Sequence, residues 1–214
     1  MPGLLFFTMQ TKVLAFVFLL LPTLAAGQNY EDSIAAHRAE YCQAFITEKR
    51  SPLKAADTGF LRFFNPDRLY RVTARFTPSG DTTSFLMPTR SGKTKRFRKY
   101  GTASFRLKNG RRWIDETLEI YQSPDLMQQE AYHDQLFIPF TDDTNGGLSY
   151  GGGRYIDIST KDIANGSLVI DFNKAYNPYC AYAEGYNCPI PPKANSLRVP
   201  VNAGEKAFAG PSSH

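Results

Sequence analysis

Polar and apolar residues alternate through most of the chain between residues 70 and 173. In the segment YRVTARF, residues 70–76, an apolar side chain occupies every second position, which is the period of a half-buried β-strand. Six further segments of the same kind follow at residues 84–89, 97–107, 113–121, 136–140, 154–159 and 167–173. Turn residues separate them, and Asn109-Gly110 is the strongest hairpin signal. The pattern predicts an antiparallel sheet curled into a barrel or sandwich.

A helical period precedes the strands. The apolar residues between positions 29 and 49 recur at the spacing of one helix face. They are Ile34, Tyr41, Cys42, Phe45 and Ile46. Asn29 is placed to cap the start of this helix, and Ser51-Pro52 is placed to end it. We therefore expect a mainly β protein with an N-terminal α-helix laid against the sheet.

The regular pattern stops after Asn173. Five prolines follow between residues 178 and 200, and proline cannot donate to a ladder of backbone hydrogen bonds. We expect an irregular C-terminal wrap, rich in proline, tyrosine and cysteine, with one strand-like piece at Leu197 to Val201. The simplest division is a single β-rich domain over residues 28–209, followed by a disordered tail at residues 210–214.

The first 27 residues have the organisation of a secretory signal peptide. An apolar run from Val13 to Leu21 follows Lys12, and the small residues Ala25, Ala26 and Gly27 come next. The run is shorter than the about 20 apolar residues that a spanning helix needs. An uncleaved N-terminal anchor is the alternative. We predict a secreted or periplasmic protein, with no stable membrane span after cleavage.

Export makes the three cysteines candidates for disulfide formation. Cys180 and Cys188 enclose a short loop, and a bridge between them would contribute about 2.5 kcal/mol by restricting the unfolded chain. Cys42 would then remain as a buried, inert thiol on the helix. The alternative is that all three cysteines are reduced and buried.

The charge of the chain is mildly positive. The net charge is +5, and removal of Lys12 with the leader leaves 24 basic and 20 acidic residues, or +4. Six basic residues crowd between Arg90 and Lys99, a run that could attract an anionic surface. We favour a solvated hairpin tip whose partners are Asp115, Glu116 and Glu119, and we expect no nucleic acid partner.

No recognised catalytic motif occurs. The chain lacks a G-x-S-x-G elbow, an H-E-x-x-H pair, a phosphate-binding glycine loop with its lysine, and a C-x-x-C pair. Only three histidines are present. We therefore predict no cofactor and no metal.

Carboxylates and amides near the predicted strand ends are the remaining candidates for chemistry. Asp142, Asp171 and Glu205 could bind a hard cation or act as an acid/base pair, although capping of turns or pairing with Arg154 is the favoured interpretation. The run Tyr150-Gly-Gly-Gly-Arg154 leaves two interpretations open. Arg154 could present its guanidinium to a carboxylate or phosphate, or it could be paired internally beside a bulged turn.

Two long segments resemble a known family. They are LFIPFTDDTNGGLSYGGGRYIDI, from residue 136, and LVIDFNKAYNPYCAYAEGYNCPIPPKANSLRVPVNAGEK, from residue 168. The chain resembles the bacterial Domain of Unknown Function 1684 family, often secreted, over about Tyr30 to Lys206. It departs from that family at Leu148-Ser149, where Glu-Thr is usual, and at Ala194, where Glu is usual. The resemblance implies export and one domain, and it implies no activity.

The leading hypothesis is a ligand-binding or envelope-associated module whose partner is a small molecule or an envelope component. The predicted ligand-binding residues are Asp142, Thr144, Tyr150, Gly153, Arg154, Tyr155, Asp171, Asn173, Tyr176, Asn177 and Glu205. One alternative is a hydrolase that uses Asp142, Asp171 or Glu205 as acid or base, with Arg154 holding an anion. The other is a purely structural role. An open cleft between the 171–177 and 150–154 segments would favour the first two, and mutual burial would favour the third.

Overall fold

Seven antiparallel strands form a curled half-barrel in the computed structural model, which describes residues 21–211 and the side chains of residues 29–211. The strands are β1 Arg71–Pro78, β2 Ser84–Pro88, β3 Thr94–Asn109, β4 Arg112–Gln122, β5 Gln135–Phe140, β6 Arg154–Ser159 and β7 Ser167–Asp171. One α-helix, α1, covers Leu21–Thr47. Short 3-10 helices lie at Asp57–Phe60, Arg68–Tyr70, Leu126–Gln128, Glu130–Tyr132, Thr160–Asp162, Phe172–Lys174, Tyr179–Ala181 and Lys193–Asn195. The predicted mainly β fold with an N-terminal helix is confirmed.

The long strand β3 organises the sheet. The strand order is β6-β5-β4-β3-β1-β7, and β2 also pairs with β3. One edge of β3 pairs with β4 over most of its length, and the other pairs first with β2 and then with β1. The register shifts between Lys99 and Gly101, where a Cβ on Gly101 would lie 2.7 Å from the carbonyl oxygen of Thr77. A glycine is needed at this bend because β1 approaches so closely.

The C-terminal wrap packs against the buried face of the sheet. Its apolar residues Val199, Val201 and Ala203 are fully buried in the same cluster as the inward-facing residues of β4, β5 and β7. Burial of this kind contributes roughly 25 cal/mol for each Å² of apolar surface removed from water. The wrap is therefore part of the core.

The strand-like piece predicted at Leu197 to Val201 is not a strand, and that prediction is wrong. Two of its amides donate to side chains instead of a ladder: Arg198 N to Glu116 at 3.0 Å and Val201 N to Asp142 at 3.1 Å. Pro200 has no amide hydrogen to donate. The carboxylates of Glu116 and Asp142 thus accept hydrogen bonds that the carbonyls of a neighbouring strand would otherwise accept.

Helix α1 begins earlier than predicted. The chain is already helical at Leu21, the first residue that the structure describes, so Asn29 lies inside the helix and does not cap it. Leu24, Ala25 and Ala26 are strong helix formers that favour this extension. Residues 1–20 of the predicted leader lie outside the described residues, and the signal peptide stays a prediction. No helix within residues 21–211 combines the length and apolar character needed to cross a membrane.

The buried face of α1 differs slightly from the predicted one. Ile34 and Phe45 are buried as expected, whereas Ile46 is 48% exposed and Cys42 is only half-buried. Ile46 follows Phe45 directly, and consecutive residues of a helix lie about 100° apart around its axis. The contact face is therefore narrower than the apolar residues alone suggested.

A disulfide joins Cys180 to Cys188, with 6.2 Å between their Cα atoms, and Cys42 is free. The predicted pairing is confirmed. The bridge closes the loop that follows the 3-10 helix at Tyr179–Ala181, beside the point where Arg90 N donates to Cys188 O at 3.0 Å.

Replacement of both bridged cysteines by serine should lower the free energy of unfolding by about 2.5 kcal/mol, because the unfolded chain regains the entropy of the loop. Urea denaturation under non-reducing conditions measures this. Cys42→Ser is the matched control and should cost at most about 1 kcal/mol. Equal losses for the control and the double variant would contradict the stabilising role of the bridge.

Candidate functional site

Most of the predicted site residues meet where the C-terminal wrap crosses the ends of β5, β6 and β7. They form hydrogen-bonded groups around Arg154, Glu205 and Asn173, which are 0%, 0% and 1% exposed. The predicted residues are therefore brought together, but they lie against one another and do not line an open cleft between the 150–154 and 171–177 segments.

Arg154 lies at the start of β6 with its guanidinium fully buried. Its Nη2 pairs with Asp142 Oδ2 at 2.7 Å, and neither side chain is accessible to solvent. The same guanidinium donates to the backbone carbonyls of Val201, Ala203 and Glu205. Charged donors make the stronger class of hydrogen bond. Of the two interpretations left open by the sequence, internal pairing of Arg154 is the one observed.

Asp142 completes this group from the end of β5. Its Oδ1 accepts from Thr144 N at 2.9 Å and from Val201 N at 3.1 Å. The hydroxyl of Thr144 lies 2.7 Å from that of Ser149 and 3.4 Å from Arg154 Nη2. A carboxylate with both oxygens engaged in this way fixes the turn after β5 to the wrap.

Gly153 makes the approach of Arg154 possible. It takes φ 88°, in the left-handed region, and a Cβ there would lie 2.6 Å from the carbonyl oxygen of Phe140. The other two glycines of the run do not have positive φ. Of the three positions, only 153 therefore has a backbone conformation that requires glycine.

Glu205 is buried among hydroxyl groups. Its carboxylate accepts from Tyr182 OH at 2.6 Å, from Tyr41 OH at 2.9 Å and from Asn177 N at 2.8 Å. Burial raises the pKa of Glu205 to about 7, although all three hydrogen bonds act to lower it. Burial also raises the pKa of Tyr41 and Tyr182 well above the usual value, and the negative charge of Glu205 is the next largest cause.

Asn173 follows β7 and holds a neighbouring loop. Its Nδ2 donates to Asp67 O at 2.8 Å, and its Oδ1 accepts from Asp67 N at 2.9 Å. Asp171 lies beside it and accepts from Asn173 N at 3.1 Å and from Tyr30 OH at 3.0 Å. This group ties helix α1, β7 and the loop before β1 together.

The remaining predicted residues join neighbouring segments. Tyr155 OH donates to the Pro189 carbonyl, and its backbone forms a bridge with Tyr176. Tyr150 OH donates to Cys180 O at 3.2 Å. Asn177 Nδ2 donates to Lys206 O at 2.8 Å. The contacts of Tyr155 and Tyr150 link the wrap to β6 and to the turn before it, and the contact of Asn177 joins two parts of the wrap.

An open depression of about 580 Å³ lies next to these buried groups. It is lined by Phe64, Asn65, Pro66, Asp67, Tyr70, Asn202 and Lys206. Asn65 and Asn202 are exposed, and the Lys206 ammonium lies 4.9 Å from the centre of the Phe64 ring. The walls thus carry amide, carboxylate and ammonium groups beside aromatic surface.

The buried groups hold both walls of this depression. On the first wall, Asn173 fixes both backbone groups of Asp67, and Arg38 Nη2 donates to Phe64 O at 2.8 Å. The second wall, residues 202–206, has its carbonyls held by Arg154 and Asn177. The two walls also bond directly, through Phe64 N and Gly204 O at 2.9 Å.

The residues of the depression and two tyrosines of the helix were not predicted as part of the site. Asn65, Asp67 and Asn202 lie in short loops without periodic signal. Tyr41 was considered only as a helix residue and Tyr30 was not considered for the site, although a tyrosine buried in a core needs a partner for its hydroxyl group. This need for a hydroxyl partner was the one feature of the sequence that could have indicated these tyrosines.

The expected ion pairs of the basic run are only partly present. Lys99 pairs with Glu119 at 2.5 Å, as predicted. Asp115 and Glu116 pair with arginines outside the run. In the part of the chain that the structure describes, no group of three or more histidine, cysteine, aspartate or glutamate residues is arranged to hold a metal ion.

Comparison with known proteins gives two findings. The family model described as "Protein of unknown function (DUF1684)" matches residues 59–206. The solution NMR structure of an uncharacterized protein from Haloarcula marismortui is 32% identical, with a TM-score of 0.64, over 85% of this chain and 96% of that one. No curated protein matches the chain.

Replacement of Arg154 by methionine should lower the free energy of unfolding by about 3–5 kcal/mol, because it leaves the Asp142 carboxylate buried without its cation. The double variant R154M/D142N should recover part of this loss, since the stranded charge is then absent. Urea denaturation provides both values.

Arg71→Met is the matched control, because Arg71 is half-exposed and lies 3.8 Å from Asp171. Exposed pairs of this kind contribute about 0–1 kcal/mol. A loss at Arg154 no larger than the loss at Arg71 would contradict the structural role of the buried pair.

The raised pKa of Glu205 predicts that stability falls as the pH rises. Between pH 4.5, the ordinary pKa of glutamate, and pH 7, the folded protein holds a proton that the unfolded chain has lost. Raising the pH across this window should therefore lower the free energy of unfolding by about 3 kcal/mol. Above pH 7 this contribution should be constant.

Glu205→Gln removes the titrating group and keeps the shape of the side chain. The difference between the stability curves of the wild type and this variant, measured by urea denaturation across the window, isolates the effect. Glu184→Gln, at an exposed position, is the control and should leave the curve unchanged. Parallel curves for wild type and Glu205→Gln would refute the prediction.

Proposed function

Because the chain belongs to the DUF1684 family of proteins of unknown function, its relatives indicate no activity for it. From its own geometry we propose that it is a ligand-binding module of the cell envelope. The binding surface is the depression between residues 64–67 and residues 202–206. The observation that carries this proposal is that buried side chains hold the backbone of both walls in place.

A surface held in this way suits binding because less ordering is required when the ligand arrives. The candidate residues act from beneath the surface, where they position the walls. Pockets that bind small molecules combine apolar surface with a few fixed polar groups, and the aromatic rings of Phe64 and Tyr70 lie here beside two asparagines.

The chemistry of the walls indicates the kind of ligand. An asparagine amide both donates and accepts hydrogen bonds, as does a sugar hydroxyl, and Asp67 and Lys206 add one charge of each sign. We therefore assign a polar, hydroxyl-rich ligand of the glycan type. The predicted leader and the Cys180–Cys188 disulfide support an exported location, since disulfides persist in oxidising compartments.

The hydrolase alternative has less support. Arg154 is fully buried and already engaged by Asp142 and backbone carbonyls, so an external anion has no route to it without opening the wrap. The purely structural alternative rests on the same burial. In a purely structural protein, the depression would bind no ligand.

NMR titration of the isotope-labelled protein tests the proposal. Two probes are used: chitotriose, a neutral N-acetylglucosamine trimer, and muramyl dipeptide, which adds a carboxylate for Lys206. The amide signals of Asn65, Asp67 and Asn202 should shift. The double variant N65A/N202A should bind about tenfold more weakly or worse, through loss of two hydrogen-bonding groups.

Asn29→Ala, at an exposed position on the helix, is the matched control and should leave binding unchanged. Shifts confined to residues away from the depression would contradict the assigned surface. If neither probe shifts any signal of the walls, the glycan assignment is wrong and the structural alternative is preferred.

A further inference from the structure

The end of the β3–β4 hairpin is an exposed surface that the depression does not use. Each residue from Lys108 to Trp113 is exposed. Gly110 has φ 58°, the positive value that a two-residue type II′ turn needs at its first position. The turn is therefore tight, and it presents the side chains around it on a rigid strand pair.

Positive charge is concentrated at this hairpin end. Arg106, Lys108, Arg111 and Arg112 are all exposed, and Asp115 is the acidic residue nearest in the ladder. Asp115 lies 3.6 Å from Arg106. Within the described residues, none of the other three basic side chains takes part in an ion pair, which leaves an excess charge of about +3 at the hairpin end.

Trp113, the single tryptophan of the chain, lies in the middle of this charge. Its side chain is 48% exposed. It pairs across the hairpin with Lys108, and the Arg106 guanidinium lies 5.7 Å from its ring. A large amphipathic ring is thus held at the surface beside two cationic side chains of β3.

The basic run on the neighbouring β2–β3 hairpin is different. Of its six basic residues, Arg96 pairs with Asp125 and Lys99 with Glu119. Arg98 donates to Gln122. What distinguishes the end of the β3–β4 hairpin is that its charges lie around the single tryptophan of the sequence.

We propose that the end of the β3–β4 hairpin docks on the surface of a bilayer that contains anionic phospholipids. Tryptophan prefers the interface between lipid and water, and each nearby lysine or arginine adds attraction to an anionic leaflet. A duplex nucleic acid would attract the charges through its phosphates, but its stacked bases would leave the central ring without a partner. The inference goes beyond the proposed ligand binding and does not rest on it, since the two surfaces share no residue.

Fluorescence of Trp113 tests the docking directly, because no other tryptophan contributes to the signal. The protein is purified after export, and its N-terminus is determined by mass spectrometry, because a retained leader could bind lipid by itself. Vesicles of phosphatidylglycerol mixed with phosphatidylcholine should shift the emission to shorter wavelength. Pure phosphatidylcholine vesicles should not, and added salt should reverse the shift.

Arg111→Glu keeps the tryptophan and reverses one charge, so it should weaken binding about 25-fold. Lys93→Glu, at the turn of the β2–β3 hairpin, is the matched control and should change binding less than about threefold, since screening weakens distant charges. Unchanged circular dichroism melting curves confirm that both variants are folded.

Four results would overturn the proposal. These are no shift with anionic vesicles, an equal shift with phosphatidylcholine, an effect of Lys93→Glu as large as that of Arg111→Glu, and an equal shift with heparin or duplex DNA. The last would identify a soluble polyanion as the partner. The depression variant N65A/N202A should bind vesicles like the wild type, so failure of either proposal can be distinguished from failure of the other.

Discussion

The buried ion pair between Arg154 and Asp142 ties the C-terminal wrap to the sheet. The pair is inaccessible to solvent, and each partner also bonds to the backbone of the wrap, Arg154 through carbonyls and Asp142 through the amide of Val201. Each side chain thus satisfies backbone groups that a neighbouring strand would otherwise pair. Residues 197–201 can fill the core without forming a strand because Asp142 and Arg154 satisfy Val201, Glu116 accepts from Arg198 N, and Leu197 N and Val199 O bond to the backbone of Thr141 and Asp143.

Glu205 places a second acidic group in the interior by a different route. Asp142 has a cation, whereas Glu205 has hydroxyl and amide donors, and burial raises its pKa to about 7. When Glu205 is protonated, its own proton can be donated to a tyrosine oxygen, and the hydroxyls of Tyr41 and Tyr182, 2.9 Å apart, can rotate to accommodate it. Helix α1 is therefore joined to the wrap by groups that tolerate either protonation state.

The sequence predicted the parts of this protein that depend on local pattern. The alternation in residues 70–76 is visible without any partner strand, and β1 is present at Arg71–Pro78. The contact between Tyr41 and Glu205 joins residues 164 positions apart, and no local period encodes such a pair. The depression has the same property, because its two walls come from loops about 140 residues apart along the chain and meet only when the wrap is in place.

The predicted site residues were chosen because their side chains can carry charge or form hydrogen bonds. In the structure, these side chains bond mainly to other groups of the protein. A buried ion pair is weak evidence for stability, because apolar residues of similar volume often serve as well. What the pair does provide is a fixed backbone: Arg154 holds the carbonyls of Val201 and Ala203, which flank Asn202. With both neighbours held and their side chains buried, Asn202 is directed outward. The same buried groups therefore fix the position from which this amide faces the depression.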